Sequence, residues 1–87
     1  MLDELRKQID EVDSQLIELL GKRLELARQV ARVKKQYNLP IHDPKREELI
    51  QEKIRKLAQL HGLSATVMQE IFSQLLIYMK VEMEGVE

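Results

Sequence analysis

The sequence predicts an all-α protein of three helices, the first of them very long. The first 36 residues contain no proline and one glycine, and apolar residues recur there at alternating spacings of three and four. No segment alternates apolar and polar residues in the way that strands do. We expect a single domain, residues 1–87, because a chain of this length provides for one small core.

The first helix is predicted to run from Leu2 to about Gln36. It would be about 50 Å long, whereas a compact monomer of this length has a radius of gyration of about 12 Å. A second copy of the chain is therefore expected to cover its apolar seam. The alternative is a helix that breaks near Gly21 and folds back as a hairpin. The seam consists of Leu2, Leu5, Ile9, Val12, Leu16, Leu19, Arg23, Leu26, Val30 and Val33.

Two shorter helices are predicted after a short connection. Asp43 and Pro44 suit the cap and the first turn of a second helix, which should end at about His61, where Gly62 suits a left-handed cap. Ser64 can cap a third helix. That helix is expected to be largely buried, because its apolar residues cover more than one face: Val67, Met68, Ile71, Phe72, Leu75, Leu76 and Met79.

Composition argues against several classes of function. The 14 basic and 15 acidic side chains nearly cancel, so the net charge gives no reason to expect nucleic acid or an anionic membrane as a partner. Cysteine is absent, which excludes disulfides, thiolate metal sites and cysteine nucleophiles. No apolar run approaches the roughly 18 residues of a membrane span. We expect neither an anchor nor a signal peptide, and a cytoplasmic location.

Arg23 is the one charged residue of the seam. A guanidinium at a core-facing position needs an anion or a strong acceptor, because an unpaired buried charge is costly. Arg23 is therefore either a ligand-binding residue or a residue that snorkels or pairs with an internal carboxylate. Spacing alone leaves both interpretations open.

Arg23 and Lys34 lie on one row of the first helix, with Ala27 and Val30 between them. Their Cα atoms would be about 16 Å apart, so that two long side chains could grip a small dianion above an apolar floor. A phosphate ester or a dicarboxylate would fit. The alternative is a solvated basic face, since four more cations lie nearby: Lys22, Arg28, Arg32 and Lys35.

Other charged residues give weaker indications. Asp43, Arg46 and Glu47 occupy the first turn of the second helix, where they could bind an anion or a hydroxyl or could serve only as a cap. Arg6 lies roughly 25 Å before Arg23 along the helix, so that it could serve only a partner chain's site. The two histidines, His42 and His61, do not have a spacing that is typical of metal ligands, and we expect no metal site.

Together these residues resemble the all-helical class of chorismate mutases. The resemblance covers nearly the whole chain, through Leu5-Arg6-x-x-Ile9-Asp10-x-x-Asp13, Leu19-Leu20-x-x-Arg23-x-x-Leu26-Ala27, Val33-Lys34, Pro40-Ile41-x-Asp43-x-x-Arg46-Glu47 and Ile71-Phe72. It implies an intertwined helical homodimer with two equivalent sites. It also implies the Claisen rearrangement of chorismate to prephenate in aromatic amino-acid biosynthesis, without metal, cofactor or covalent intermediate.

The resemblance also implies roles for the cations. Arg23 and the partner's Arg6 would hold the carboxylates of the substrate. Lys34 would donate to the ether oxygen as the C–O bond lengthens and negative charge develops there. Such a site needs no base or nucleophile, because a pericyclic step requires a compressed conformer and preorganised charge.

The remaining site residues include a departure from the family pattern. Arg46, Glu47 and the backbone of Asp43 would orient the ring hydroxyl. Met79 and Met83 stand where family members commonly have a serine and a glutamine or glutamate. That glutamine contacts the ether oxygen, and a thioether cannot donate such a bond, so its loss could cost about 10² to 10³ in rate.

Several hypotheses follow from this departure. A distorted third helix could bring Glu82 or Glu84 into the place of Met83, or the third helix could lie out of the family register. Isochorismate-pyruvate lyases share the fold, and Phe72-Ser73-Gln74-Leu75-Leu76-Ile77-Tyr78 resembles a segment of theirs, although they also usually keep the glutamine. The protein could also be a non-catalytic module of the same fold that binds the ligand or only dimerises.

Overall fold

The computed structural model describes all residues, Met1–Glu87, and contains three α-helices and no strand. Helix α1 spans Leu2–Gln36, α2 spans Pro44–Leu60 and α3 spans Ala65–Glu84. The predicted all-α class and the long first helix are confirmed. None of the helices is long and apolar enough to cross a membrane.

Helix α1 is continuous over 35 residues, so the alternative of a break at Gly21 is wrong. One glycine costs only about 1 kcal/mol in a helix, and its neighbours are strong helix formers. The molecule measures 55 Å along its longest axis and has a radius of gyration of 15.8 Å, well above that of a compact chain. The first half of α1 therefore extends away from the other helices.

Both helix ends that lead into connections are closed in the same way. After α1, Asn38 takes a left-handed conformation with φ 55°, and the Leu39 amide donates to the Lys34 carbonyl at 2.7 Å. After α2, Gly62 has φ 71°, and the Leu63 amide donates to the Ala58 carbonyl at 2.8 Å. Both are Schellman motifs, and the predicted left-handed glycine is confirmed.

The two predicted N-terminal caps are also present. An Asp43 carboxylate oxygen accepts from the Arg46 amide at 3.2 Å, and Pro44 occupies the first turn of α2. The Ser64 hydroxyl accepts from the Val67 amide at 3.3 Å at the start of α3. These side chains satisfy amides that have no partner inside the helix.

Helix α3 packs against both α1 and α2, which do not pack against each other. Side-chain amides fix the α2–α3 contact: Gln51 Nε2 donates to the Gln69 carbonyl and the Ser73 hydroxyl, both at 3.0 Å, and Gln69 Nε2 donates to the Gln51 carbonyl. Helix α3 is therefore the element that sets the relative position of the other two.

The expectation that α3 is largely buried is wrong for the single chain. Only Ala31, Ala58 and Met79 are fully buried, whereas Val67 and Ile71 of α3 remain about half exposed. The apolar seam of α1 is likewise exposed, with Leu5 at 55%. One chain has too little surface to cover both apolar faces, because α2 is short and α1 points away from it.

Candidate active site

A cavity of about 300 Å³ lies between the three helices, at the C-terminal half of α1. Each helix and the α1–α2 connection supply part of its wall. The lining residues are Arg23, Leu26, Ala27, Val30 and Lys34 of α1, Ile41 and Asp43 of the connection, Arg46, Glu47 and Ile50 of α2, and Leu76, Met79, Lys80 and Met83 of α3. All the residues that were predicted for the site line this cavity, with the exception of Arg6.

Arg23 carries a half-buried charge that no carboxylate compensates. Its Nη1 lies 2.6 Å from the Met79 sulfur, and neither Arg23 nor Arg46 forms an ion pair. Burial, and secondly the Arg46 guanidinium, lower the pKa of Arg23. Because Arg23 forms no ion pair, the alternative that it pairs with an internal carboxylate is wrong, and the thioether that it contacts is only a weak acceptor. An anion in the cavity would compensate both guanidinium groups.

Lys34 lies at the other end of the apolar floor that Ala27 and Val30 form. Its Nζ donates to the Ile41 carbonyl at 3.2 Å and lies 3.7 Å from an Asp43 carboxylate oxygen. The side chain is only 17% exposed. Because the connection holds the Lys34 ammonium at the cavity wall, the ammonium is oriented before any ligand arrives.

Lys80 is a cavity residue that was not predicted from the sequence. Its Nζ lies 3.0 Å from a Glu47 carboxylate oxygen and 2.9 Å from His42 Nδ1. The sequence did contain an indication of it, because Lys80 is the only cation in α3 and directly follows Met79, a residue that was predicted for the site and lines the cavity. What the sequence could not indicate is that this face of α3 meets the first turn of α2.

The register of α3 places both Met79 and Met83 in the cavity wall. The helix is regular through Glu84, and the hypothesis that a distortion brings Glu82 or Glu84 into the site is wrong. Glu82 instead lies 3.5 Å from Arg28 in an ion pair outside the cavity. Two thioethers therefore stand where the resemblance implies polar side chains.

Arg6 is remote from this cavity. It is exposed near the start of α1, and the structure does not bring it to the residues that line the wall. A role for Arg6 would require a second chain, as the helix length predicted.

The charges of the wall sum to +2. The four cations are Arg23, Lys34, Arg46 and Lys80, and the two anions are Asp43 and Glu47. Lys34 faces Asp43 and Lys80 pairs with Glu47, which leaves the two guanidinium groups uncompensated. This arrangement suits a small dianion with two carboxylates. No three acidic, histidine or cysteine side chains of the chain lie close enough together to hold a metal ion.

Comparisons of the sequence with a family model and with known proteins indicate the same family. Residues 5–84 match the family described as chorismate mutase type II. The chorismate mutase of Methanocaldococcus jannaschii is 40% identical over 79 residues, which cover 91% of this chain and 80% of that protein.

Two relatives are longer proteins. The T-protein of Haemophilus influenzae is 43% identical over 70 residues, which cover 80% of this chain and 19% of that protein. The bifunctional chorismate mutase/prephenate dehydratase of Aquifex aeolicus is 48% identical over 56 residues, which cover 64% of this chain and 16% of that protein. The chain therefore spans most of the archaeal relative and less than a fifth of these two.

Proposed function

The chain belongs to the chorismate mutase type II family, and we propose on that basis that it catalyses the Claisen rearrangement of chorismate to prephenate. The observation that carries the proposal is the uncompensated Arg23 guanidinium in a cavity whose far end presents the Lys34 ammonium. Chorismate is a dianion with an ether bond that must break. The cavity supplies cations for both features.

Arg23 binds one carboxylate of the substrate in this proposal, and the partner's Arg6 completes the clamp. The two positive charges hold the substrate in the compressed conformer in which the new C–C bond can form. Fixing that conformer is a major part of catalysis, since the reaction proceeds in one pericyclic step. No base, nucleophile or cofactor is assigned.

Lys34 acts on the breaking bond. As the C–O bond lengthens, the ether oxygen gains negative charge, and a donor that is already oriented stabilises this charge more than it stabilises the ground state. The contacts of Lys34 with the Ile41 carbonyl and with Asp43 support this assignment, because they fix the ammonium at the cavity wall.

Glu47 and Arg46 orient the ring hydroxyl, together with the backbone of Asp43. A Glu47 carboxylate repels both carboxylates of chorismate, and the hydroxyl is the one donor that the substrate offers it. The position of Glu47 in the first turn of α2 supports this role, because that turn lines the cavity.

The active form in this proposal is a homodimer. A second copy would cover the exposed seam of α1 and bring its Arg6 to the cavity, so that each site contains residues of both chains. The exposure of Leu5, Ile9 and Leu16, each above 50%, supports the need for such a cover. We expect the reaction to take place in the cytoplasm, as a step of aromatic amino-acid biosynthesis.

The test is the product that the purified protein forms from chorismate and from isochorismate, followed by absorbance and chromatography. We expect prephenate from chorismate and no pyruvate from isochorismate. Release of pyruvate from isochorismate would instead identify a lyase. Binding of chorismate without turnover would identify a non-catalytic module, for which the thioethers of Met79 and Met83 are the motivating observation.

A further inference from the structure

Lys80 links three parts of the site, yet it has no role in the mechanism above. Its ammonium lies 3.0 Å from a Glu47 carboxylate oxygen and 2.9 Å from His42 Nδ1. It thus connects α3 both to the first turn of α2 and to the connection before it. The Lys80 and Glu47 side chains are only 27% and 30% exposed, so that their ion pair is partly shielded from water.

The hydrogen-bonding capacity of Lys80 suggests what it does. A lysine ammonium has three donors and no acceptor, so His42 accepts through Nδ1 and Glu47 accepts through its carboxylate. These two protein acceptors already engage the ammonium. Lys80 is also the only cation that pairs with Glu47, and a partly shielded ion pair holds a flexible carboxylate in one place.

We propose that Lys80 is a positioning residue that selects the ring substituent of the substrate. It holds the Glu47 carboxylate at the cavity wall and neutralises its charge, so that Glu47 accepts a hydrogen bond from a neutral hydroxyl and does not attract an ammonium. This inference rests on the proposed function, and specifically on contact between Glu47 and the ring hydroxyl.

The selection follows from elementary electrostatics. A carboxylate without a cation binds an ammonium more strongly than a hydroxyl, because a hydrogen bond between two charged groups is the stronger one. With Lys80 in place, an ammonium at the same position meets a carboxylate that is already paired and a second cation beside it. A hydroxyl is not affected by that repulsion.

The experiment compares chorismate with its analogue in which an amine, charged at neutral pH, replaces the ring hydroxyl. Both are assayed with the wild type, Lys80→Met, Lys80→Gln and Lys80→Arg. Lys80→Met should lower kcat/KM for chorismate about tenfold to a hundredfold, the effect expected for loss of one charged hydrogen bond. It should also raise the preference for the amine over the hydroxyl at least about tenfold.

The other variants separate position from charge. Lys80→Gln keeps a donor to Glu47 without the charge, so it should lose selectivity while retaining more of the chorismate rate than Lys80→Met. Lys80→Arg should keep the wild-type preference. The matched control is Lys35→Met, because Lys35 is likewise a lysine that connects two helices but lies outside the cavity: it joins α1 to α3 through the Glu84 carbonyl at 3.4 Å. It should change neither kcat/KM nor the preference.

An unchanged preference in folded Lys80→Met or Lys80→Gln would overturn the proposal. If the preference is unchanged because kcat/KM falls equally for both compounds, Lys80 instead contacts a substrate carboxylate directly. Thermal melting followed by circular dichroism shows whether each variant folds. If Lys80→Met does not fold, the preference measured with Lys80→Gln tests the proposal. A wild type that converts no chorismate would contradict the proposed function. The ratio of dissociation constants for the two compounds then tests Lys80 separately.

Discussion

Arg23 lines the cavity as a cation that has no carboxylate partner. It interrupts an apolar seam, it is half-buried, and its contact in the cavity is a thioether. Burial and the neighbouring Arg46 lower the pKa of Arg23, which means that the protein disfavours the charged form. A bound dianion would stabilise the charged form of Arg23 instead. The charge is therefore unfavourable in the empty cavity and contributes to binding once the ligand is present.

Replacing Arg23 by alanine should therefore remove activity and leave the fold intact. We expect Arg23→Ala to lower chorismate turnover by at least about 10², because a preorganised cation is lost. The melting temperature should not fall, since an uncompensated charge is removed as well. Arg32→Ala is the control, because Arg32 is an exposed arginine of the same helix and pairs with Glu25. Near-wild-type turnover of Arg23→Ala would contradict the assignment of the site.

A substitution of Met83 is expected to raise the turnover number rather than to lower it. Because α3 is regular and Met83 lines the cavity, Met83→Gln would present an amide donor to the substrate. We expect the turnover number to rise, by up to about 10², as one oriented donor is added at the breaking bond. Met68→Gln, on the same helix outside the cavity, should have no such effect. An unchanged or lower turnover would mean that the site has repacked around methionine.

At the scale of the elements, the helix ends are determined by local chemistry. Gly62 closes α2 with φ 71°, and apart from its two chain neighbours no residue has an atom within 4 Å of the position that a Cβ would take. Gly21 is equally unobstructed within the chain but lies in the interior of α1. The two glycines therefore differ only in backbone conformation.

The same substitution should have opposite effects at these two positions. Gly62→Ala should lower the free energy of unfolding by about 1–2 kcal/mol, because alanine is strained in the left-handed region. Gly21→Ala should raise it by about 0.5–1 kcal/mol, because glycine weakens a helix interior. Urea denaturation at one fixed protein concentration measures both values. A loss of stability in Gly21→Ala would indicate that a partner chain approaches α1 closely there.

The molecule as a whole exposes a long apolar seam along α1. The chain of 87 residues has only three fully buried residues, and we expect a core this small to need a partner for stability. The molecule is 55 Å long, and residues 1–22 are all exposed, so no other part of the chain covers the first half of α1. A second copy would provide that cover.

We accordingly expect a dimer at micromolar concentration in sedimentation experiments. Leu16→Lys, which places a charge in the seam, should cause dissociation or unfolding. Ser14→Lys, which adds the same charge on the opposite face of α1, should leave the dimer intact. A stable, folded monomer of the unaltered chain would remove the reason for shared sites.

Shared sites can be tested directly by mixing two inactive variants. In a heterodimer of Arg6→Ala and Arg23→Ala, one of the two sites contains both native arginines, so part of the activity should return. The homodimer of each variant is the control. Confirmed heterodimers without activity would count against a contribution of the partner's Arg6.

The features that depend on neighbouring residues could be predicted from the amino-acid sequence alone. Asp43 and Ser64 cap helices because their side chains reach amides only three positions away, and Gly62 is suited to its turn whatever surrounds it. The alignment of Arg23 with Lys34 follows from helix periodicity alone. The roles of these cations came from the family resemblance and not from the spacing.

The helix faces that meet could not be predicted in this way and are known from the folded chain. The contact of Lys80 with Glu47 joins residues 33 positions apart and depends on how α3 lies against the first turn of α2. The absence of a carboxylate partner for Arg23, and the presence of Met79 beside it, depend on the same arrangement. Periodicity gives the faces of each helix but not their relative rotation, because that rotation results from the packing of all three helices together.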